Sequence, residues 1–309
     1  MHRPALAALC AALALPALAD YPTGPVQFVV PWPPGDMEDI LTRMIAEDFQ
    51  RAYGQPAAVI NKPGGGGGPF PGAVDVAKGP ADGSVIGSFV IDVPLVGPEI
   101  GIAELSPNPF EPVGIFLTYP FVLATAKSAP FQTLAELAAH AQGNEVVLGH
   151  FGAEIPPTQV AFALARTLGF DWGADAAYDA LDCNTLASGD VDVMTTTIQL
   201  VMPCLATITV LAAVTADRLP MAPDAPTVAE VAPELALVLW NGLFVRKEVP
   251  QDVRARIAAV AEATMASDRA RKFAADTGAQ IYWKDAAAAQ AQIEADLVTL
   301  TTIGEILAD

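Results

Sequence analysis

Residues 26–53 read VQFVVPWPPGDMEDILTRMIAEDFQRAY, and this stretch decides the fold. Its start is rich in β-branched and aromatic residues and stops at a proline, which predicts a buried strand over Val26–Val30. After the proline-rich turn, apolar residues recur at helical spacing, which predicts an amphipathic helix ending near Tyr53. A strand that feeds a helix through a short loop is half of a βα unit. Ligands bind at the carboxyl ends of such strands in open α/β sheets, so this loop is the first candidate binding element.

Strand and helix patterns alternate through the rest of the chain, which predicts an α/β fold. The predicted strands are Ala57–Ile60, Val85–Ile91, Val113–Leu117, Phe121–Ala126, Glu145–Gly149, Val191–Met194, Thr207–Val214, Leu235–Val245 and Gln280–Trp283. The predicted helices are Gly72–Lys78, Thr133–Gln142, Gln159–Leu168, Leu181–Ala187, Asp224–Glu230, Pro250–Ala266, Ser267–Gly278 and Asp285–Leu307. Irregular proline-rich segments near Pro98–Pro112 and Pro220–Pro226 are typical of passages between domains.

The first 19 residues have the pattern of an export signal. His2 and Arg3 provide a weakly basic start, Ala5–Leu15 is an apolar run, and Ala17–Ala19 matches the small-residue cleavage pattern. The apolar run is too short to span a bilayer. We therefore expect export to the periplasm and cleavage before Asp20. An ordinary buried N-terminal helix is the alternative, and it fits the pattern less well.

The charge balance excludes two classes of partner. The formal net charge is −19, and both nucleic acids and anionic lipid surfaces require basic patches. Only Cys183 and Cys204 remain after cleavage of the signal. In an oxidising compartment they form either a disulfide or two buried thiols, and the sequence leaves both open.

No catalytic pattern stands out in the sequence. It has no Gly-x-Ser-x-Gly elbow and no His-Glu-x-x-His motif. The glycine run from Gly64 to Gly68 lacks the lysine of a phosphate-binding loop, so it is either a plain flexible loop or a loop that lines a cleft. Glu38 and Glu154 could be read as a glycosidase pair, but nothing in the sequence positions a sugar. We therefore expect a binding protein without a cofactor rather than an enzyme.

Short motifs in a fixed order give the chain a resemblance to a known family, the periplasmic receptors of tripartite tricarboxylate transporters (TctC or Bug type). They are Tyr21-Pro22, Pro25, Pro31–Asp39, Gly54–Pro56, Asn61–Gly64, Ala81–Gly83, Leu134–Leu137, Gly189–Asp192, Pro226–Glu230 and Trp240–Gly242. Each motif is weak alone, but the ordered set spans nearly the whole chain after the signal and is specific.

The resemblance implies a fold and a partner. It implies two α/β domains with a ligand cleft between them, the first over 20–112 and 221–309 and the second over 113–220. Such receptors hold a small organic acid against loop amides and ordered water, then deliver it to the large and small membrane subunits of a permease. We also expect a monomer. A partner that presents ligand to a periplasmic sensor would use the same cleft.

Carrying the family's loops over by position gives the expected binding residues. The loop after the first strand and the end of the strand near Asp92 form one wall, and the Gly152–Thr158 loop and the Thr195–Thr197 strand end form the other. The expected site residues are Trp32, Pro34, Gly35, Asp36, Met37, Asp39, Ser88, Asp92, His150, Phe151, Gly152, Ala153, Glu154, Thr158, Tyr178 and Thr196. We expect Trp32 to clamp the ligand and Trp240 to lie in the core. His150 could donate to a ligand or be an ordinary loop histidine.

This sequence departs from the family at several of those positions. Asp36 replaces a glycine, Glu38 a hydroxyl residue and Glu154 another glycine. In addition, Ile155 replaces a serine, Thr158 a histidine, and Asp179 stands where a lysine is common. A carboxylate ligand about 4 Å from an ionised carboxylate is repelled by about 4 kcal/mol at an effective dielectric near 20.

These substitutions leave three explanations open. The acids could face solvent and cap helices, bind a cationic or amine-bearing ligand, or hold a metal ion that bridges to a carboxylate. The third is the weakest, because no spacing resembles a calcium loop.

Overall fold

The structure is a computed structural model that describes residues 21–64, 68–178 and 180–308. The predicted export signal, the middle of the glycine run and Asp179 lie outside the described residues. No helix in the described part of the chain is both long and apolar enough to cross a membrane.

Two mixed β-sheets organise the chain, as predicted for two α/β domains. The first has the order β11-β4-β10-β3-β1-β2 and consists of β1 (Val26–Val30), β2 (Ala57–Asn61), β3 (Val85–Val90), β4 (Phe110–Thr118), β10 (Trp240–Arg246) and β11 (Gln280–Asp285). The second has the order β7-β6-β8-β5-β9 and consists of β5 (Phe121–Ala126), β6 (Val147–His150), β7 (Ala174–Ala177), β8 (Val193–Thr197) and β9 (Ile208–Val214).

The helices follow the strands as βα units. They are α1 (Met37–Tyr53), α2 (Phe70–Ala77), α3 (Asp92–Leu95), α4 (Leu134–Ala141), α5 (Pro156–Thr167), α6 (Cys183–Ser188), α7 (Ile198–Val201), α8 (Val228–Val231), α9 (Gln251–Met265), α10 (Asp268–Thr277) and α11 (Ala286–Ala308). The opening βα unit forms as predicted. Phe28 of β1 and the apolar stripe of α1 around Leu41, Ile45 and Phe49 are fully buried in one cluster.

The sheets divide at a different point from the predicted domain boundary. The prediction ended the first segment at residue 112, but that position lies inside β4, which pairs with β10 and β11 in the first sheet. Pro112 fits there because it lies opposite Phe244 at an irregularity in the ladder, where a missing N–H is tolerated. The chain passes to the second sheet at Tyr119 and Pro120, and it returns between β9 and β10.

Helix α11 connects the two bodies of the molecule, because it packs against both β4 and α5. A buried polar contact fixes it in place, since Trp240 Nε1 donates to the Asp296 carboxylate at 2.7 Å. Burial raises the pKa of Asp296 to about 6, although this bond and one from Gln292 oppose the shift. Trp240 is fully buried, so its predicted place in the core is confirmed.

Cys183 and Cys204 form a disulfide, which decides between the two alternatives that the sequence left open. The bond joins the start of α6 to the segment after α7 and closes a loop with a sequence separation of 21 residues. In the chain-entropy account, closing a loop of this length lowers the entropy of the unfolded chain and stabilises the folded state by about 3 kcal/mol.

We therefore predict that the Cys183→Ser, Cys204→Ser double variant is less stable than the wild type by about 3 kcal/mol, because its unfolded chain is less constrained. Denaturant unfolding of both proteins measures the difference. Reductant should lower the stability of the wild type to that of the double variant and leave the double variant unchanged. Equal stability of the oxidised wild type and the double variant would contradict the bond.

Candidate functional site

A cavity of about 650 Å³ lies between the two sheets, beside the carboxyl ends of β1, β3, β6 and β8. The first sheet contributes the loop after β1, the Pro63–Gly64 segment after β2 and the end of β3. The second sheet contributes the loop after β6, residues after β7 and the end of β8 with α7. Tyr119 and Phe121 lie between these walls, at the point where the chain changes sheets. Contributions from both sheets give the cavity the form of the predicted ligand cleft.

The loop after β1 brings the predicted Trp32 and Asp36 to the cavity, and the start of α1 brings Glu38, which was not predicted. Trp32 lines it, and its indole Nε1 is buried without a hydrogen-bond partner among the described residues. Asp36 is the N-cap residue of α1, but its carboxylate makes no capping hydrogen bond. Glu38 also lines the cavity although only 3% of it is exposed, so this acid does not face solvent as the simplest explanation required.

Asp39, predicted as a ligand contact, instead builds the loop. Its carboxylate accepts hydrogen bonds from the Gly35 N–H, from Arg43 and from the Asn61 amide. Desolvation opposes ionisation, but these hydrogen bonds hold the pKa of Asp39 below its usual value. Gly35 has a φ of 99°, a conformation that favours glycine and lets its N–H reach Asp39. Gly35, Asp39 and the exposed Pro34 are not among the residues that line the cavity.

Ser88, also predicted as a contact, supports the floor of the site instead. Its hydroxyl is fully buried and forms hydrogen bonds at 2.8 Å with Thr42 of α1 and with the Asn241 amide of β10. These bonds tie helix α1 to strands β3 and β10 of the first sheet. Ser88 therefore acts on the site through the position of α1, not by contact with the cavity.

Glu38 and Tyr119 form the most perturbed group in the cavity. The Tyr119 hydroxyl donates to Glu38 Oε2 at 2.9 Å. Burial raises the pKa of Glu38 to about 7, and the negative charges of Asp36 and Asp39 add to this, while the bond from Tyr119 opposes it. Burial and the nearby acids also raise the pKa of Tyr119 well above its usual value. The structure thus places a carboxyl group that titrates near neutrality in the cavity wall.

Asp92 and Met37, both predicted, complete the first wall. Asp92 is the first residue of the short helix α3, and burial raises its pKa to about 6 although its own backbone N–H opposes the shift. Its carboxylate accepts no hydrogen bond from any other residue in the described ranges. Desolvation, with the charge of Asp39, raises the pKa of Asp36 as well. Three carboxyl groups of the first wall therefore resist ionisation.

The second wall is mostly apolar. Phe151 and Tyr178, both predicted, line it together with Ile155, Pro157, Ala180, Thr197, Gln199 and Leu200. Thr197 is 8% exposed, and its Oγ1 has no hydrogen-bond partner within the described residues. The predicted contact in this strand, Thr196, is one position away and points to the opposite face, where its hydroxyl donates to the Leu181 carbonyl at 2.7 Å.

The other residues predicted for the second wall lie away from the cavity. His150 is buried, where its Nδ1 accepts from the Gly152 N–H and its Nε2 donates to Asp175 at 2.8 Å, so both are structural. The side chain of Thr158 is buried without lining the cavity. Ala153 and Glu154 are exposed and border a separate pocket of about 380 Å³ beside Arg166.

The charge of the cavity is one-sided. No lysine, arginine or histidine is among the described residues that line it, while Asp36, Glu38 and Asp92 are. Arg43, one turn along α1 from Asp39, is held by that residue and by Asn61. Nor do the described residues include a group of three or more His, Cys, Asp or Glu side chains that could hold a metal ion.

Glu38→Gln should change how stability depends on pH. The folded pKa of about 7 lies above the ordinary value of 4.5, so the folded state keeps a proton that the unfolded chain loses. The stability due to this group is therefore fully present below about pH 4.5 and is lost as the pH rises through about 7, a loss on the order of 3 kcal/mol. Thermal unfolding should show the variant close to the wild type near pH 5 and more stable near pH 8.

The matched control for this prediction is Glu262→Gln, which changes an exposed glutamate on α9. Its unfolding curve should follow that of the wild type at every pH. If the stability of Glu38→Gln also runs parallel to the wild type across this range, Glu38 does not titrate in the way that its burial requires.

Comparison with known proteins agrees with the fold. A solved structure from R. palustris with adipate superposes with a TM-score of 0.76 at 24% identity and covers 93% of this chain and 98% of that one. MatC from Rhodopseudomonas palustris with bound malate gives a TM-score of 0.67 at 23% identity, again covering 93% and 98%. At these identities the likeness establishes the fold, a two-domain periplasmic binding protein.

Sequence comparison establishes the family. The UPF0065 protein in the tcbD-tcbE intergenic region of Pseudomonas sp. is 29% identical over 253 residues, which are 77% of this chain and 72% of that relative. BugT of Bordetella pertussis is 32% identical over 161 residues, 50% of this chain and 44% of BugT. A profile of the tripartite tricarboxylate transporter family receptor matches residues 41–305. The chain therefore belongs to the tripartite tricarboxylate transporter family of receptors, as its ordered motifs predicted.

Proposed function

We propose that this protein is a periplasmic receptor that captures a small organic acid in the cavity between its sheets and delivers it to the membrane subunits of a tripartite permease. The observation that carries the proposal is the cavity itself, whose walls come from the carboxyl ends of strands in both sheets. Binding across two bodies allows the walls to approach each other around a solute. Malate and adipate in two similar structures support an organic acid.

The start of α1 is the proposed contact for the acid group. The first intrahelical hydrogen bond runs from the Ile40 N–H to the Asp36 carbonyl, so the N–H groups before Ile40 have no partner within the helix. Asp36, Met37 and Glu38 at this helix end all line the cavity. Free N–H groups and the helix dipole favour an anion there. The neighbouring carboxyl groups oppose the same anion, which limits the solutes that can be accepted.

We further propose two domains, divided at Tyr119–Pro120 and again between β9 and β10, and a monomer that binds without catalysis. Export by the segment 1–19 would bring the protein to the compartment where such receptors work. The conversion of Cys183 and Cys204 to a disulfide supports an oxidising compartment. The family to which the chain belongs consists of transporter receptors, which supports delivery to a permease.

A thermal-shift screen of dicarboxylates, amino acids and polyamines tests solute capture. A solute present at 100 times its dissociation constant adds about 2.7 kcal/mol to the unfolding free energy. Ala180→Trp should abolish this gain, because Ala180 is an exposed residue of the cavity wall and an indole there occupies solute space.

The matched control is Ala187→Trp, which places the same side chain on an exposed position of α6 away from the cavity. It should respond to the solute like the wild type. The proposal is contradicted if no class of compound raises the melting temperature of the wild type, or if Ala180→Trp responds as strongly as Ala187→Trp.

A further inference from the structure

Three acids line the first wall of the cavity, and one of them, Glu38, accepts a hydrogen bond from the Tyr119 hydroxyl at 2.9 Å. Burial and the negative charges of Glu38, Asp36 and Asp92 raise the pKa of Tyr119, and burial with the charges of Asp36 and Asp39 raises the pKa of Glu38. These groups come from the start of α1 and from the end of β3, two neighbouring elements of the first sheet. Like charges gathered in a part-buried wall repel each other unless a cation or a proton neutralises them.

The protein itself supplies no cation to this wall. None of the described residues that line the cavity is basic, and the carboxylates of Asp36 and Asp92 accept no side-chain hydrogen bond in the described part of the chain. By contrast, the buried Asp39 and the half-buried Asp48 are each paired with an arginine. The acids that line the cavity have no such partner in the described part of the chain.

A second observation points to a missing ligand. The Thr197 hydroxyl is more than nine-tenths buried, lines the cavity from the opposite wall, and has no hydrogen-bond partner among the described residues. On the first wall the indole N–H of the part-buried Trp32 also has no hydrogen-bond partner within the described residues. Buried polar groups without partners are costly and rare. We therefore expect the Thr197 hydroxyl and the Trp32 indole N–H to contact a polar group of the solute.

The remaining lining suits an organic cation. Trp32, Tyr119, Phe121, Phe151 and Tyr178 present aromatic surface to the cavity. Aromatic faces attract ammonium groups, and the attraction grows when water is excluded. Carboxylates with aromatic neighbours recognise an amine together with its apolar chain, whereas a bare dicarboxylate would meet three acids and no base.

We propose that the solute of this receptor carries an ammonium group, held by Asp36, Glu38 and Asp92, and that its apolar part lies against the aromatic wall. The inference rests on the proposed function, because it assumes that this cavity is the solute site. It narrows the organic acid to one that also bears an amine, such as an amino acid. The acid group then contacts the start of α1, and the ammonium group neutralises the carboxylates beside it. The Thr197 hydroxyl provides a polar contact from the opposite wall.

Matched pairs of compounds that differ only in the amine test this directly. Suitable pairs are ε-aminocaproate with caproate, leucine with isocaproate, and phenylalanine with hydrocinnamate. Adipate is added because it carries a second carboxylate where ε-aminocaproate carries its amine. The mature protein is titrated calorimetrically with each compound at neutral pH and low salt. At least one amine-bearing compound should bind tenfold or more tightly than its amine-free partner and than adipate.

Variants connect that preference to the acids. Asp92→Asn should weaken the binding of the amine-bearing compound at least tenfold, because the ammonium group loses a counter-charge. The binding of its amine-free partner should stay unchanged or become stronger. Asp190→Asn, an exposed aspartate after α6, is the matched control and should bind like the wild type. The melting temperature of each variant without solute shows that it is folded.

The outcomes separate this inference from the receptor function. If only the amine-free acids bind, or if Asp92→Asn weakens both members of a pair equally, the ammonium proposal is overturned while solute capture stands. If no amine-bearing compound binds, the ammonium proposal also fails. Whether the protein captures a solute at all is then decided by the wider thermal-shift screen and by the Ala180→Trp variant.

Discussion

The carboxyl group of Glu38, buried beside the Tyr119 hydroxyl, is the constraint on which the character of the site depends. It lies in the first turn of α1, and Tyr119 stands where the chain leaves the first sheet for the second. One hydrogen bond therefore connects the opening βα unit to the crossover between the sheets. Burial raises the pKa of this carboxyl group to about 7, although the bond from Tyr119 opposes the shift.

Two neighbouring acids in the same turn of α1 show how environment assigns different roles. Asp39 is as buried as Glu38, but an arginine, an asparagine and a backbone N–H hold its charge, so it shapes the loop. Glu38 has only a tyrosine hydroxyl, so its charge is not balanced within the protein. The chain thus uses one acid to fix the loop geometry and leaves another unbalanced in the cavity. A solute that brings a positive charge would supply the balance.

The sequence predicted those parts of the fold that local patterns control. Strand β1, its proline turn and α1 follow from hydrophobic spacing alone, and most other elements were found close to their bounds. Strand β7 (Ala174–Ala177) was missed because its alanine and aspartate residues are mostly exposed and carry no strand signal. The predicted boundary at residue 112 falls inside β4, because Pro112 reads as a break in the sequence whereas a ladder irregularity accommodates it there.

The sequence predicted which loops form the cavity better than it predicted which side chains of those loops line it. Of the residues predicted to bind ligand, those that line the cavity are Trp32, Asp36, Met37, Asp92, Phe151 and Tyr178. His150 does not, because its buried Nε2 is bound by Asp175 of the missed strand β7. Thr196 was chosen over Thr197, a choice that depends on which face of β8 meets the cavity, and the sequence of three threonines gives no signal of it. Tyr119 was not among the predicted site residues, and its bond to Glu38 joins residues far apart in sequence.

The most direct test of this account is a measurement of the Glu38 carboxyl titration by carbon-13 NMR, with Glu38→Gln used to assign the resonance. The account predicts a midpoint at about pH 7 in the solute-free protein, since burial without a basic partner disfavours the charged form. A midpoint near the ordinary glutamate value of 4.5 would contradict it, because the carboxylate would then be balanced or hydrated within the protein.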